Sequence, residues 1–223
     1  MCPVPRVSFR RAAAELAARD PVMARLVELG GPVRIRPPRD PDHFVDLAET
    51  IVYQQLAGAA AAAIWGRVAA LFDSAVTPEA VLAVPDQDLR AAGLSRNKIA
   101  SIRDLAGKVA DGTVPLGGIN RLKDDVIVER LSLVRGIGRW TAEMFLIFQL
   151  RRPDVWPVDD YGVRKGYAVA YGLTSLPTPK ELRVEGERFR PYRTVAAWYL
   201  WRAVDLRLPG VDPGGSPGAK PPG

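Results

Sequence analysis

Leu131–Lys165 reads LSLVRGIGRWTAEMFLIFQLRRPDVWPVDDYGVRK, and it falls into three parts. A mixed polar and apolar run closes at Val134, and a tight turn, Arg135-Gly136-Ile137-Gly138, follows. Arg139 to Leu150 is then predicted to return as a helix, with Trp140, Met144, Ile147 and Phe148 in phase. Two glycines flanking one apolar residue allow left-handed backbone angles and close approach to another surface. A helix that starts directly after such a turn aims its unsatisfied N–H groups outward, which suits an anion. Beyond it the acidic pair Asp159-Asp160 opens another predicted helix. A phosphate grip followed by a carboxylate points to an enzyme that works on nucleic acid.

The rest of the chain narrows the chemistry. With 223 residues, 48% of them hydrophobic, it can bury a core as one domain or as two packed lobes. No stretch approaches the ~20 apolar residues of a membrane span, and MCPVPRVSFRR has no apolar signal-like centre. A cytoplasmic protein associated with the bacterial nucleoid is expected. Cys2 is the single cysteine and His43 the single histidine. An internal disulfide, a cysteine-bound cluster and a histidine-rich zinc site are therefore excluded. Carboxylates, aromatics and backbone remain for any chemistry. The net charge of +6 and pI of 9.7 suit a polyanionic partner, although the arginine-rich excess also fits a GC-rich genome.

Upstream, apolar periodicity predicts helices over Phe9–Arg19, Pro21–Leu29 and Phe44–Tyr53. Ile64, Val68, Leu71 and Phe72 form a second expected buried stripe. Thr77-Pro78-Glu79 is a helix start, Asp86 to Ala92 a short helix stopped by Gly93, and Ser95 to Ala110 an amphipathic one. Asp124 to Leu133 supplies the first helix of the hairpin. Tyr161–Tyr171, Pro179–Phe189 and Pro191–Leu206 follow. Strand patterning is nearly absent, so the fold is expected to be all-α.

The run Leu133-x-x-Gly136-Ile137-Gly138-x-x-Thr141-Ala142, with Asp160 downstream, resembles the helix-hairpin-helix and Asp signature of base-excision DNA glycosylases, the HhH-GPD superfamily. Gly138-Arg139-Trp140-Thr141-Ala142 and Pro157-Val158-Asp159-Asp160-Tyr161 are similar to its AlkA-type branch, the 3-methyladenine DNA glycosylases II. The resemblance covers about residues 43–205. Longer AlkA proteins carry a β-rich domain ahead of the helices; the compact, all-helical variety is expected here. The chain lacks the four-cysteine cluster usual in endonuclease III and MutY-like relatives. Arg135 stands where many relatives have proline, and Met144 where longer relatives have tyrosine.

The resemblance implies two helical lobes with DNA across the cleft between them. Residues 43–159 would form the lobe that contains the hairpin. Residues 160–208 would form the other, with residues 1–42 packed against it, and residues 209–223 would be a disordered tail. It also implies roles for individual residues. Asp160 would be the catalytic carboxylate, with Asp159 capping the following helix. Trp140, Tyr161, Trp201 and Met144 would line a pocket for an electron-poor base. Backbone N–H groups of Gly136, Ile137 and Gly138 would bind phosphates, joined by Arg139 and Thr141. Gln54, Gln55 and Leu56 would supply the wedge that fills the duplex when a base is flipped out. Arg96, Asn97 and Lys98 are further phosphate candidates, and Arg164 and Lys165 would bind phosphate or support the lobes.

No cofactor and no catalytic metal are called for. An ion on the hairpin carbonyls of Leu133 and Gly136 would be structural. Bifunctional relatives place a Schiff-base lysine where this chain has Trp140, so a monofunctional glycosylase is expected. The expected partner is double-stranded DNA with alkylated bases, bound by a monomer. The residues leave two alternatives open: a non-catalytic module that binds lesions through the hairpin, and a glycosylase for deaminated or etheno bases.

Overall fold

The computed structural model describes residues 8–38, 40–73 and 75–206. In chain order the helices are α1 (Phe9–Arg19), α2 (Pro21–Gly30), α3 (His43–Tyr53), α4 (Gly58–Ala69), α5 (Pro78–Ala83) and α6 (Asp86–Ala91). They continue with α7 (Arg96–Ala110), α8 (Asp124–Leu131), α9 (Arg139–Met144), α10 (Tyr161–Tyr171), α11 (Pro179–Glu185) and α12 (Arg193–Asp205). No strand occurs among the described residues, and no helix there is long and apolar enough to cross a membrane.

Helix starts follow local chemistry. Ser8, Asp20, Asp42, Thr77, Ser95 and Asp160 each accept a hydrogen bond from a backbone N–H in the first turn of the helix they precede. Thr178 and Glu181 form a reciprocal capping box ahead of α11. Asp20 serves two helices: its N–H ends α1 on Leu16 O, and its carboxylate opens α2 on Val22 and Met23.

The described chain divides into two units. One joins the residues up to Arg36 with those from Leu146 onward; the other runs from Pro37 to Phe145. The first is built around α12, which is buried nearly all round through Val195, Ala196, Ala197, Tyr199, Leu200 and Trp201. α10, α2 and α1 pack on it. The second is built around α7, whose Ile99, Ile102, Leu105 and Ala106 are buried against α3, α5 and α6.

Three sequence expectations change. The unit boundary falls at 145/146, not at 159/160, because the segment ahead of α10 is tied to the C-terminal helices. Thr194 Oγ1 accepts from Val155 N at 3.0 Å and donates to Arg152 O at 2.6 Å, and Arg193 pairs with Asp154. Trp156 Nε1 donates to Leu182 O at 2.7 Å. Second, the predicted helix from Arg139 to Leu150 is α-helical only to Met144 and continues as a π-turn, Phe145–Gln149. Third, Val68 of the expected second stripe is buried, but Leu71 is exposed just past the end of α4. The expected tail at 209–223 lies outside the described residues.

Candidate nucleic-acid interface and active-site residues

The hairpin is α8, a turn, and α9. Val134 N donates to Leu131 O and Ile137 N to Val134 O, each at 3.0 Å, so the turn is internally bonded. The two glycines do different work. Gly136 has φ +80°, and a Cβ there would lie 2.8 Å from Ser101 Oγ, so both conformation and packing demand glycine. Gly138 has an ordinary extended backbone (φ −91°, ψ 177°) as the N-cap of α9, and a Cβ on it would meet nothing within 4 Å. Left-handed geometry is thus needed at one glycine, while the other keeps an open backbone surface.

Two expected DNA contacts are corrected. The Ile137 N–H is spent on Val134, and its side chain is buried, so Ile137 anchors the turn. Thr141 is buried on the core side of α9 and offers no surface to a duplex. Arg139 remains outward, its side chain about half exposed and 3.4 Å from Glu143. Arg135 replaces the rigidity of a proline with a bond: its N–H donates to Asp104 Oδ2 at 2.7 Å. Burial pushes the Asp104 carboxyl upward, but that N–H and the Lys108 ammonium outweigh it and hold the pKa below its ordinary value.

The loop after α3 sits in the same unit as the hairpin. Gln54 donates its Nε2 to Gly136 O at 2.9 Å, so its amide braces the turn and is not a wedge. It also occupies the carbonyl considered for a structural ion. Lys98 donates to Val52 O and Gln54 O at the end of α3, which corrects its expected role as a phosphate contact. Gln55 and Leu56 are exposed, and Gln55 has φ +59°. Trp140 is 44% exposed, and Met144 is half-buried.

Asp160 belongs to the other unit. It is buried (9% exposed), and its Oδ1 accepts from Val163 N and from Trp201 Nε1, each at 2.8 Å. The sequence reading gave the cap of α10 to Asp159, but Asp160 is the N-cap and Asp159 is exposed. The cap falls on the second carboxylate, which is also the one the indole of α12 reaches. Trp201 is also revised: it is buried and stacked on Phe148 (5.8 Å between centroids, 21°), so it orients Asp160 and is not an open platform. Tyr161, next to Asp160, is the aromatic left outward, at 48% exposure. Arg164 binds Pro177 O and is structural.

Sequence reasoning missed what makes this corner fit. A Cβ on Gly162 would lie 2.8 Å from the Trp201 ring, and one on Gly166 would lie 1.9 Å from Leu200 O. These two glycines, one helical turn apart, let α12 approach α10 closely enough for the indole to reach Asp160. The Gly162-x-x-x-Gly166 spacing was a visible signal. Among the described residues no group of three or more His, Cys, Asp or Glu side chains could hold a metal ion.

Residues 48–191 match the family described as HhH-GPD superfamily base excision DNA repair protein. The chain is 36% identical over 205 residues to DNA-3-methyladenine glycosylase 1 of Schizosaccharomyces pombe, covering 89% of each. It is similar to the S. pombe 3-methyladenine DNA glycosylase Mag1 solved in complex with abasic DNA, with a TM-score of 0.76 and 36% identity over 88% of this chain and 98% of that one. A DNA-3-methyladenine glycosidase structure from Bacillus halodurans matches with a TM-score of 0.78 and 37% identity over 86% and 88%. The chain belongs to the HhH-GPD superfamily of base excision DNA repair proteins.

Proposed function

We propose that this chain removes N-alkylated bases from double-stranded DNA: 3-methyladenine and 7-methylguanine first, with 1-methyladenine and 3-methylcytosine as further cationic substrates. It is a DNA glycosylase of base excision repair. The observation that carries the mechanism is the Asp160 carboxylate, fixed at the start of α10 by the Val163 N–H and the Trp201 indole N–H. It stands at the position where the family signature carries its acid.

The open backbone at Gly138 and the cation of Arg139 engage phosphates without reading sequence. Gln55 or Leu56 enters the duplex while the damaged nucleotide turns out. Tyr161 stacks on the electron-poor base. As the bond between C1′ and the base nitrogen breaks, positive charge grows on the sugar. Asp160 stabilises that charge and orients or deprotonates the water that adds to C1′. An alkylated cationic base departs as a neutral molecule and needs little acid assistance, which suits a site without histidine. Trp140 occupies the hairpin position of the Schiff-base lysine of bifunctional relatives, so the backbone stays uncut. The protein acts as a monomer, and no step calls on a metal ion.

The test is base release from methylated duplex DNA with chelator present, products separated by chromatography. Release of 3-methyladenine, with strands intact until alkali is added, is expected. Strand cleavage without alkali would overturn the monofunctional reading. Salt-sensitive binding without release of any alkylated, deaminated or etheno base would favour a lesion-binding module.

A further inference from the structure

Gln55 is the one non-glycine residue of its unit, among the described residues, that lies in the left-handed region. A side chain there is strained, and such a backbone persists only where its surroundings over-determine it. Here the surroundings are one face of α7. Lys98 Nζ donates to Val52 O and to Gln54 O (2.8 Å for the second), the carbonyls on either side of Tyr53. Three residues along, Ser101 Oγ lies against Gly136, and three further, Asp104 accepts the Arg135 N–H. Gln54 closes the circuit by donating to Gly136 O. Positions 98, 101 and 104 share one side of a helix. A single rigid element thus holds the base of the Gln55–Leu56 loop and the hairpin turn in one register.

Lys98 itself is half-buried, and burial lowers its pKa. It directs a partly desolvated ammonium at backbone carbonyls at the end of α3, where the helix dipole favours a cation. Gln55 and Leu56, by contrast, are exposed. Their position relative to the hairpin is set from below.

We propose that Lys98 is a positioning residue for base flipping: by clamping the end of α3 to α7 it holds Gln55 and Leu56 at the height from the hairpin at which they enter the duplex. This rests on the glycosylase reading above. Entry matters most when the lesion is fully paired and stacked, and least when the opposite base is already missing, because unstacking then costs less.

The experiment compares wild type with Lys98→Met, which keeps the aliphatic stem and removes the donors. Single-turnover release of one alkylated base is measured in a paired duplex and opposite an abasic site. Lys98→Met is expected to slow release about tenfold or more in the paired duplex and only slightly opposite the abasic site. Lys98→Arg, which restores donors, is expected to recover most of the loss. Equal slowing on both substrates would reduce Lys98 to a helix cap and overturn the proposal, as would no slowing on either. Should Lys98→Met fail to fold, Gln54→Met breaks the circuit at its other side and is expected to give the same selective loss.

A 2-aminopurine beside the lesion reports unstacking without any bond being cleaved. A fluorescence rise with wild type but not with Lys98→Met supports the positioning role even if no base is released, in which case the glycosylase reading alone falls. An equal rise with both proteins overturns the positioning role whatever the release assay gives. No rise with either protein overturns the positioning role, while the glycosylase reading stands or falls on base release.

Discussion

Around the hairpin, the polar groups that fix the turn are partly exposed: the amide of Gln54, the carboxylate of Asp104, the ammonium of Lys98. Around Asp160 the holding groups are buried: an indole N–H from α12, itself stacked on Phe148, and a backbone N–H of α10. The difference fits the roles proposed above for the two regions. A surface that meets phosphates only needs its backbone presented, and several modest bonds near water suffice. A carboxylate that must face one atom of a sugar needs fixed orientation, and a buried donor gives it because competing water is excluded.

The comparison is tested most severely at Asp160 itself. Asparagine is also a good N-cap and keeps an acceptor for Val163 and Trp201, so Asp160→Asn should leave the fold intact. Base release is expected to fall by at least about a hundredfold, while affinity for duplex changes little, as gel shift would show. Wild-type release rates from the variant would end the mechanism proposed above. Trp201→Phe removes one hydrogen bond to a charged group, of about 1.5–3 kcal/mol. It is expected to lower single-turnover release about tenfold or more, with DNA binding unchanged.

The hairpin glycines sharpen the contrast with smaller effects. Gly136→Ala meets both a left-handed backbone and Ser101, and a stability loss of about 1–3 kcal/mol in denaturant melts is expected together with weaker DNA binding. Gly138→Ala has neither problem, so its melt should match wild type while affinity for duplex falls severalfold. An unchanged affinity would mean that the open backbone at Gly138 is not a phosphate contact. The smallest effect is on pH. The Asp104 carboxyl has a lowered folded-state pKa, so its contribution is present above the unfolded value of 3.8 and is lost as pH falls through the lower folded one. Exchange of the Arg135 amide hydrogen, relative to its intrinsic rate, is expected to lose protection below about pH 4, and Asp104→Asn should remove that dependence.

Much of this was legible in advance, and the reason is locality. The helix start at Thr77-Pro78-Glu79, the stop at Gly93 and the turn at Gly136 and Gly138 are decided within a few residues, where backbone preference and capping chemistry act. The absence of more than one cysteine and one histidine restricted the chemistry without any structure. Other assignments required contacts between distant segments. The sequence assigns the cap of α10 to Asp159, whereas in the fold Asp160 holds it and also accepts from the Trp201 indole. Gln54 reads as a surface glutamine until the hairpin carbonyl is found beside it. Lys98 reads as one of a basic cluster until it is seen capping α3.

By itself, then, the sequence determined an all-α chain, several of its helix starts, the hairpin turn and an acid downstream of it, since these depend on neighbouring residues and on composition. Only the tertiary structure decided which carboxylate is oriented, which glycine must be left-handed and which cation is spent on backbone. Those outcomes depend on how closely two helices can approach. At Gly162 and Gly166 that closeness is set by the absence of two β-carbons, whose effect is felt on a helix far along the chain.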